Sequence, residues 1–133
     1  MKKILLIQHC QSLHHVEDLT GGWTDCSLSE HGVSQAKMTG SYIKGMNLEH
    51  PKIYSSDLKR AKETADQIAN TLTLPVETES GLREINNGIA ANKTKEWAHK
   101  NRIQPMPKGI IWTIGNFKVR KHGANSIPAF QLQ

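Results

Sequence analysis

The sequence predicts an α/β domain, a partly parallel sheet flanked by helices. Three observations carry that expectation. Apolar runs of strand length alternate with segments of helical periodicity, in the order strand, helix, strand, helix, strand, helix. Proline or glycine punctuates the junctions, at Gly45, Pro51 and Pro75. Polar, chemistry-bearing residues follow the strands, where open α/β sheets collect ligands.

Lys3 to Ile7 is a continuous apolar run, the pattern of a strand buried on both faces. A polar loop with Gly21-Gly22 follows. Ser27 and Glu30 have capping-box spacing, with Ser29 as an alternative cap. Ala36, Met38, Tyr42 and Ile43 then supply the apolar positions of a helix ending near Gly45. Lys52-Ile53-Tyr54 reads as a short strand. Ser55-Ser56-Asp57 is a second helix start, followed by Leu58, Ala61, Ala65, Ile68, Ala69 and Leu72 at helical spacing. Pro75 stops that helix by its clash with the preceding backbone. Pro75 to Thr78 reads as a third strand, and Asn92 is a candidate cap for a short helix through Trp97 and Ala98.

Composition narrows the function classes. The 133 residues suffice for one domain with a core. No apolar run approaches the roughly 20 residues of a membrane span, and the apolar start is too short for a signal peptide. With two cysteines, Cys10 and Cys26, a reducing cytoplasmic setting is expected. The net charge of +5 is unevenly distributed. Residues 1–96 carry 11 Lys/Arg and all 12 Asp/Glu, whereas residues 97–133 carry 6 Lys/Arg and no acid. The basic character belongs to the tail, so neither nucleic acid nor membrane is an expected partner. The sequence is silent on oligomeric state.

The chemistry concentrates in three segments after the strands: Gln8-His9-Cys10, Ser55-Ser56-Asp57 with Arg60, and Arg83-Glu84. A neutral imidazole is a competent nucleophile toward phosphorus. Phosphoryl transfer further needs positive charge on the equatorial oxygens and an acid for the leaving oxygen. Arg60 offers a planar fork for two phosphate oxygens. A helix start at Ser56 would add backbone donors, and Glu84 is the candidate acid. Cys10 does not fit a cysteine-phosphatase loop, which needs an arginine where Val16 stands. His14, His15, Cys10 and Cys26 match no standard zinc spacing, so no metal is expected.

These segments resemble the histidine phosphatase superfamily, the phosphoglycerate-mutase-like group. Gln8-His9-Cys10-Gln11-Ser12-Leu13-His14-His15 stands where that family opens with Arg-His-Gly-Glu-Thr-x-x-Asn. Gly22-Trp23-Thr24-Asp25 through Leu28-Ser29-Glu30-His31-Gly32 and Gln35-Ala36 is similar to its G-x-x-D-x-x-L-T-x-x-G-x-x-Q-A segment. Tyr54-Ser55-Ser56-Asp57-Leu58-Lys59-Arg60-Ala61-Lys62-Glu63-Thr64-Ala65 resembles its most specific block, and Leu82-Arg83-Glu84-Ile85-Asn86-Asn87-Gly88 resembles the segment carrying the acid. The resemblance implies a phosphoglycerate-mutase-like fold and a small phosphorylated substrate, with no cofactor. It implies His9 as the nucleophile that becomes phosphohistidine, Glu84 as proton donor and Arg60 as phosphoryl binder. Gln8, Ser12 and His15 are the further substrate-contacting candidates.

Two departures matter. Gln8 replaces the family's arginine, and losing one such donor typically removes about 3 kcal/mol of transition-state stabilisation. A protonated His14 or His15 is the expected substitute. The family's later strands, which end in a second catalytic histidine, have no counterpart. Residues 1–109 are read as the N-terminal part of a histidine-phosphatase-like domain and 110–133 as a divergent basic tail. Lys121-His122-Gly123 matches the second His-Gly only superficially, because no apolar strand precedes it. The expected function is a phosphomonoesterase impaired by truncation. The alternatives are an inactive phosphate-binding remnant and a mutase-type phosphotransferase.

Overall fold

A computed structural model describes residues 4–101, together with the backbone of 111–114 and 117–120. Residues 1–100 form one compact unit and 101–133 another. The first contains α1 (Leu13–Val16), α2 (Glu30–Gly45), β1 (Ile53–Ser55), α3 (Lys59–Leu72), β2 (Val76–Thr78) and α4 (Lys95–Lys100), with 3-10 turns at Ser80–Leu82 and Gly88–Ala90. The second contains β3 (Ile111–Ile114) and β4 (Phe117–Arg120), an antiparallel pair within the segment read from sequence as a divergent basic tail. The candidate His122 lies outside the described residues.

The α/β architecture with a parallel pair is present. β1 and β2 run parallel, Tyr54 opposite Glu77, and α3 is the crossover between them. Such a connection is what parallel pairing requires. α3 buries Arg60, Thr64, Ala65, Ile68 and Ala69, and α2 buries Gly32, Ala36, Gly40 and Ile43. The two helices pack on each other. A Cβ on Gly40 would lie 2.9 Å from Thr71 Oγ1 and 3.2 Å from Ile68 Cα, so glycine permits their close approach.

Helix boundaries follow local hydrogen-bond supply. Ser29, not Ser27, caps α2: its Oγ accepts from Gly32 N at 3.0 Å. The Ser27 carbonyl instead accepts from Leu13 N. α3 begins at Lys59, later than the Ser55-Ser56-Asp57 signal, because Ser56 Oγ accepts from Leu58 N and holds these residues in a turn. It ends at Leu72, with Thr73 left-handed at φ 56° just before Pro75. Thr94, not Asn92, serves α4, its Oγ1 accepting from Trp97 N.

The first segment departs from expectation. Residues 4–10 form no strand, and Ile4, Leu5, Leu6 and Ile7 are 44–58% exposed. An apolar run becomes a buried strand only between neighbours that accept its backbone bonds and cover its faces. Among the described residues it has neither a ladder partner nor a covering layer.

The Gln8–His15 segment rests directly on α2. A Cβ on Gly32 would stand 1.9 Å from the Gln11 carbonyl oxygen, whereas one on Gly45 would meet nothing within 4 Å. Gly32→Ala is therefore expected to lower stability by about 3 kcal/mol. Gly45→Ala is expected to be neutral or to stabilise by up to about 1 kcal/mol. Urea unfolding of the pair measures both; equal midpoints would mean the loop does not rest on this helix.

Candidate active site

Arg60, in the first turn of α3, is 1% exposed. A buried guanidinium must find acceptors for its donors. Nη1 donates to the Thr24 carbonyl at 2.6 Å, and Nη2 to the Gly22 carbonyl at 2.7 Å and Glu84 Oε2 at 3.0 Å. Nε donates to His9 Nε2 at 3.1 Å. The three residues expected to carry the chemistry, His9, Arg60 and Glu84, are thus joined through one side chain. Gly22 is left-handed at φ +61°, and a Cβ there would sit 2.5 Å from Asn87 Cγ and 2.9 Å from the Ile85 carbonyl. Only glycine lets this turn present its carbonyl to Arg60.

The hydrogen bonds of His9 define its tautomer. Nδ1 lies 2.8 Å from the Cys10 carbonyl, which can only accept, so Nδ1 carries the proton. Nε2 then holds the lone pair, toward Arg60. Thr64 anchors the same loop: its Oγ1 accepts from Cys10 N at 3.1 Å and donates to the Arg60 carbonyl at 2.8 Å. Burial lowers the His9 pKa, and the charges of Arg60 and His15 lower it further, against a raising hydrogen bond to Cys10. His9 is accordingly neutral at pH 7.

Ser12, fully buried, organises the other two histidines. Its Oγ lies 2.7 Å from His14 Nδ1, and its N–H donates to His15 Nδ1 at 3.3 Å. Because His15 Nδ1 accepts, the proton of the neutral ring sits on Nε2, which becomes a free donor. Burial and the neighbouring His15 and Arg60 push His14 down to about 4; burial, Lys95 and Arg60 lower His15. The expected protonated substitute for an arginine is therefore not present in the unliganded site at pH 7. It holds neutral N–H donors instead. The ring nitrogens of His9, His14 and His15 come within 4.8 Å of one another.

Gln8 lines an open cleft of about 660 Å³ together with His9, Gln11, His15 and Gln35. Gln35 Oε1 accepts from Gln11 N at 3.1 Å, and Ser29 Oγ donates to Gln11 Oε1 at 2.6 Å. Two of the expected helix-terminus donors are engaged, the Leu58 N–H with Ser56 Oγ at 3.3 Å. The first N–H of α3, on Lys59, donates to Asp25 Oδ1 at 2.7 Å, and a carboxylate there repels an incoming anion. Sequence reasoning missed Thr64, Asp25, and the Gly22 and Thr24 carbonyls. Carbonyl ligands leave no side-chain signature, although Gly21-Gly22 marks the turn that supplies one.

The lowered His14 pKa links stability to pH. Between about 4 and the unfolded value near 6.5 the unfolded chain binds the extra proton, so stability rises with pH through this window. It is complete above 6.5 and lost on acidification. Urea midpoints at pH 4.5 and 7 are expected to differ more in the wild type than in His14→Gln; equal differences would contradict the assignment.

Comparisons with known proteins agree with this geometry. The family model for the histidine phosphatase superfamily (branch 1) matches residues 4–112. A 2,3-bisphosphoglycerate-dependent phosphoglycerate mutase of Porphyromonas gingivalis is 38% identical over 116 residues, 84% of this chain and 46% of the relative. A second such mutase, of Bacteroides thetaiotaomicron, is 36% identical over 123 residues, 80% of this chain and 50% of the relative. The chain spans about half the length of these curated relatives. Among solved structures, a mycobacterial glucosyl-3-phosphoglycerate phosphatase complexed with VO3 superposes with TM-score 0.65 at 28% identity, covering 71% of this chain and 44% of that one. A phosphoserine phosphatase of Entamoeba histolytica in complex with 3-phosphoglyceric acid superposes with TM-score 0.58 at 33% identity, covering 68% of this chain and 44% of that one. With the family model spanning most of the sequence and His9, Arg60 and Glu84 converging in space, the chain belongs to the histidine phosphatase superfamily, branch 1.

Proposed function

We propose that this chain is a phosphomonoesterase that acts on a small phosphorylated molecule through a phosphohistidine at His9. The observation that supports it most is the single lone pair on His9 Nε2, aimed at a buried guanidinium that also holds Glu84. In the first step Nε2 forms a bond to phosphorus while the ester P–O bond breaks. Glu84, a carboxylate held by Arg60 in the free site, takes a proton from the incoming monoanionic ester and passes it to the departing oxygen. In the second step water attacks phosphorus, returns a proton to Glu84, and leaves inorganic phosphate and free His9. Arg60 exchanges its bond to Nε2 for the phosphoryl oxygens. The Nε2–H of His15, with the Gln8 amide alongside, supplies neutral donors to the same group, whereas Ser12, expected to contact substrate, is fully buried and holds His14 and His15 in place. No residue of this scheme requires a metal.

A second reading, transfer of the phosphoryl group to another hydroxyl, is favoured by the mutase relatives. It differs in the acceptor, so incubation with 3-phosphoglycerate and a trace of 2,3-bisphosphoglycerate, the co-reactant in the relatives' names, separates the two: free phosphate in excess of that trace marks hydrolysis, 2-phosphoglycerate marks the mutase. A folded protein that binds inorganic phosphate but releases and transfers none is the inactive remnant.

Hydrolysis of an aryl phosphate is expected to fall at least 10³-fold in His9→Ala, on the order of the loss of a covalent catalyst. Undiminished turnover would remove His9 from the nucleophile role. Because attack needs neutral His9 and burial lowers its pKa, kcat/KM is expected to fall on acidification with a midpoint below pH 6.5. A midpoint above 6.5 would contradict the depressed imidazole.

A further inference from the structure

Glu84 lies in an irregular stretch between the two 3-10 turns, with no helix or strand to hold its backbone. Its place is set from the Gly21–Trp23 loop. The Trp23 indole N–H donates to the Glu84 carbonyl at 2.8 Å. The Gly22 N–H donates to Glu84 Oε2 at 3.1 Å, and the Trp23 N–H to Asn87 Oδ1 at 3.1 Å. Asn87 returns its amide to the Gly21 carbonyl at 3.0 Å. On the other side, the Arg83 guanidinium stacks 4.7 Å from the Trp23 ring centroid and donates to Asp57 Oδ1 at 2.6 Å. Trp23 is thus clasped on its ring face and on both of its N–H groups, with Glu84 bonded to its indole edge.

We propose that Trp23 is a positioning residue for proton donation, its indole holding the Glu84 peptide so that the carboxyl stays at the leaving oxygen. The inference rests on Glu84 being the acid. A residue touching no reacting atom can act here because a small misplacement of a catalytic group has a large kinetic effect. The effect is selective. A nitrophenolate departs without a proton, whereas an alkoxide needs one as the P–O bond breaks. Loosening Glu84 therefore penalises alkyl esters and spares aryl esters.

The test is Trp23→Phe, which keeps a ring for Arg83 and removes the indole donor, with Glu84→Gln beside it and circular dichroism on both. The substrates are p-nitrophenyl phosphate and glycerol phosphate. The loss of kcat on the alkyl ester is expected to exceed that on the aryl ester at least tenfold in both variants, with KM little altered. Equal losses on the two esters in Trp23→Phe, with a split in Glu84→Gln, would overturn the role of Trp23 alone. Absence of a split in Glu84→Gln would overturn the acid assignment itself. If Trp23→Phe does not fold, Asn87→Ser, which frees the Trp23 N–H, is read by the same ratio. Wild-type protein that cleaves neither ester is read by NMR with inorganic phosphate bound. The carboxyl-carbon resonance of Glu84, assigned by its loss in Glu84→Gln, is expected to shift in Trp23→Phe; an unmoved resonance would overturn the proposal.

Discussion

A guanidinium with 1% exposure is the constraint around which this site is arranged. Removing a cation from water costs several kcal/mol unless hydrogen bonds and an opposite charge replace the solvent. Arg60 obtains them from three separate stretches of chain: His9, the Gly22–Thr24 turn, and Glu84. Glu84 is about half exposed, so water screens the ion pair and the two carbonyls carry much of the compensation. Satisfying one buried charge therefore gathers His9, Arg60 and Glu84. Thr64, one turn further along α3, ties the backbone of Cys10 to the same helix. The requirement that folds the loops is the requirement that builds the site.

The electrostatic character of the site follows from the same cation. Arg60 contributes to lowering the pKa of each of the three histidines nearby, on top of their burial. A second full charge from an imidazolium would stand against that field. The chain instead presents Gln8, with an amide, and His15, with a neutral Nε2–H. Neutral donors are weaker than charge-assisted ones. His15 is nevertheless fixed in place by the backbone of Ser12, itself completely buried. Preorganisation is the part of electrostatic stabilisation that such a site retains.

Much of this was readable from residue order, and the failures have physical causes. The α2 and α3 periodicities and the Pro75 stop are local properties, and both helices lie where they read. His9, Arg60 and Glu84 were recognisable by type and by position after apolar runs. Cap choice was not, because Ser27 and Ser29 compete for roles that only the packing of Leu13 and Gly32 decides. The Lys3–Ile7 run reads as a buried strand, yet strand formation depends on partners that periodicity cannot see. The lowering of the histidine pKa values was not legible for a related reason: it depends on burial and on a neighbour 45 or more positions away in sequence. The Trp23 clasp was hidden because two of its bonds run to backbone carbonyl or amide groups.

Attack of His9 Nε2 on phosphorus would leave a phosphoryl group on that ring. That attack is tested most directly by mixing the protein with a phosphate monoester labelled at phosphorus, quenching in base, and mapping the adduct by mass spectrometry. A base-stable, acid-labile phosphoryl group on His9, absent from His9→Ala, is the predicted result. Label on Cys10, Ser12 or His14, or on His15 with His9 unmodified, would contradict it.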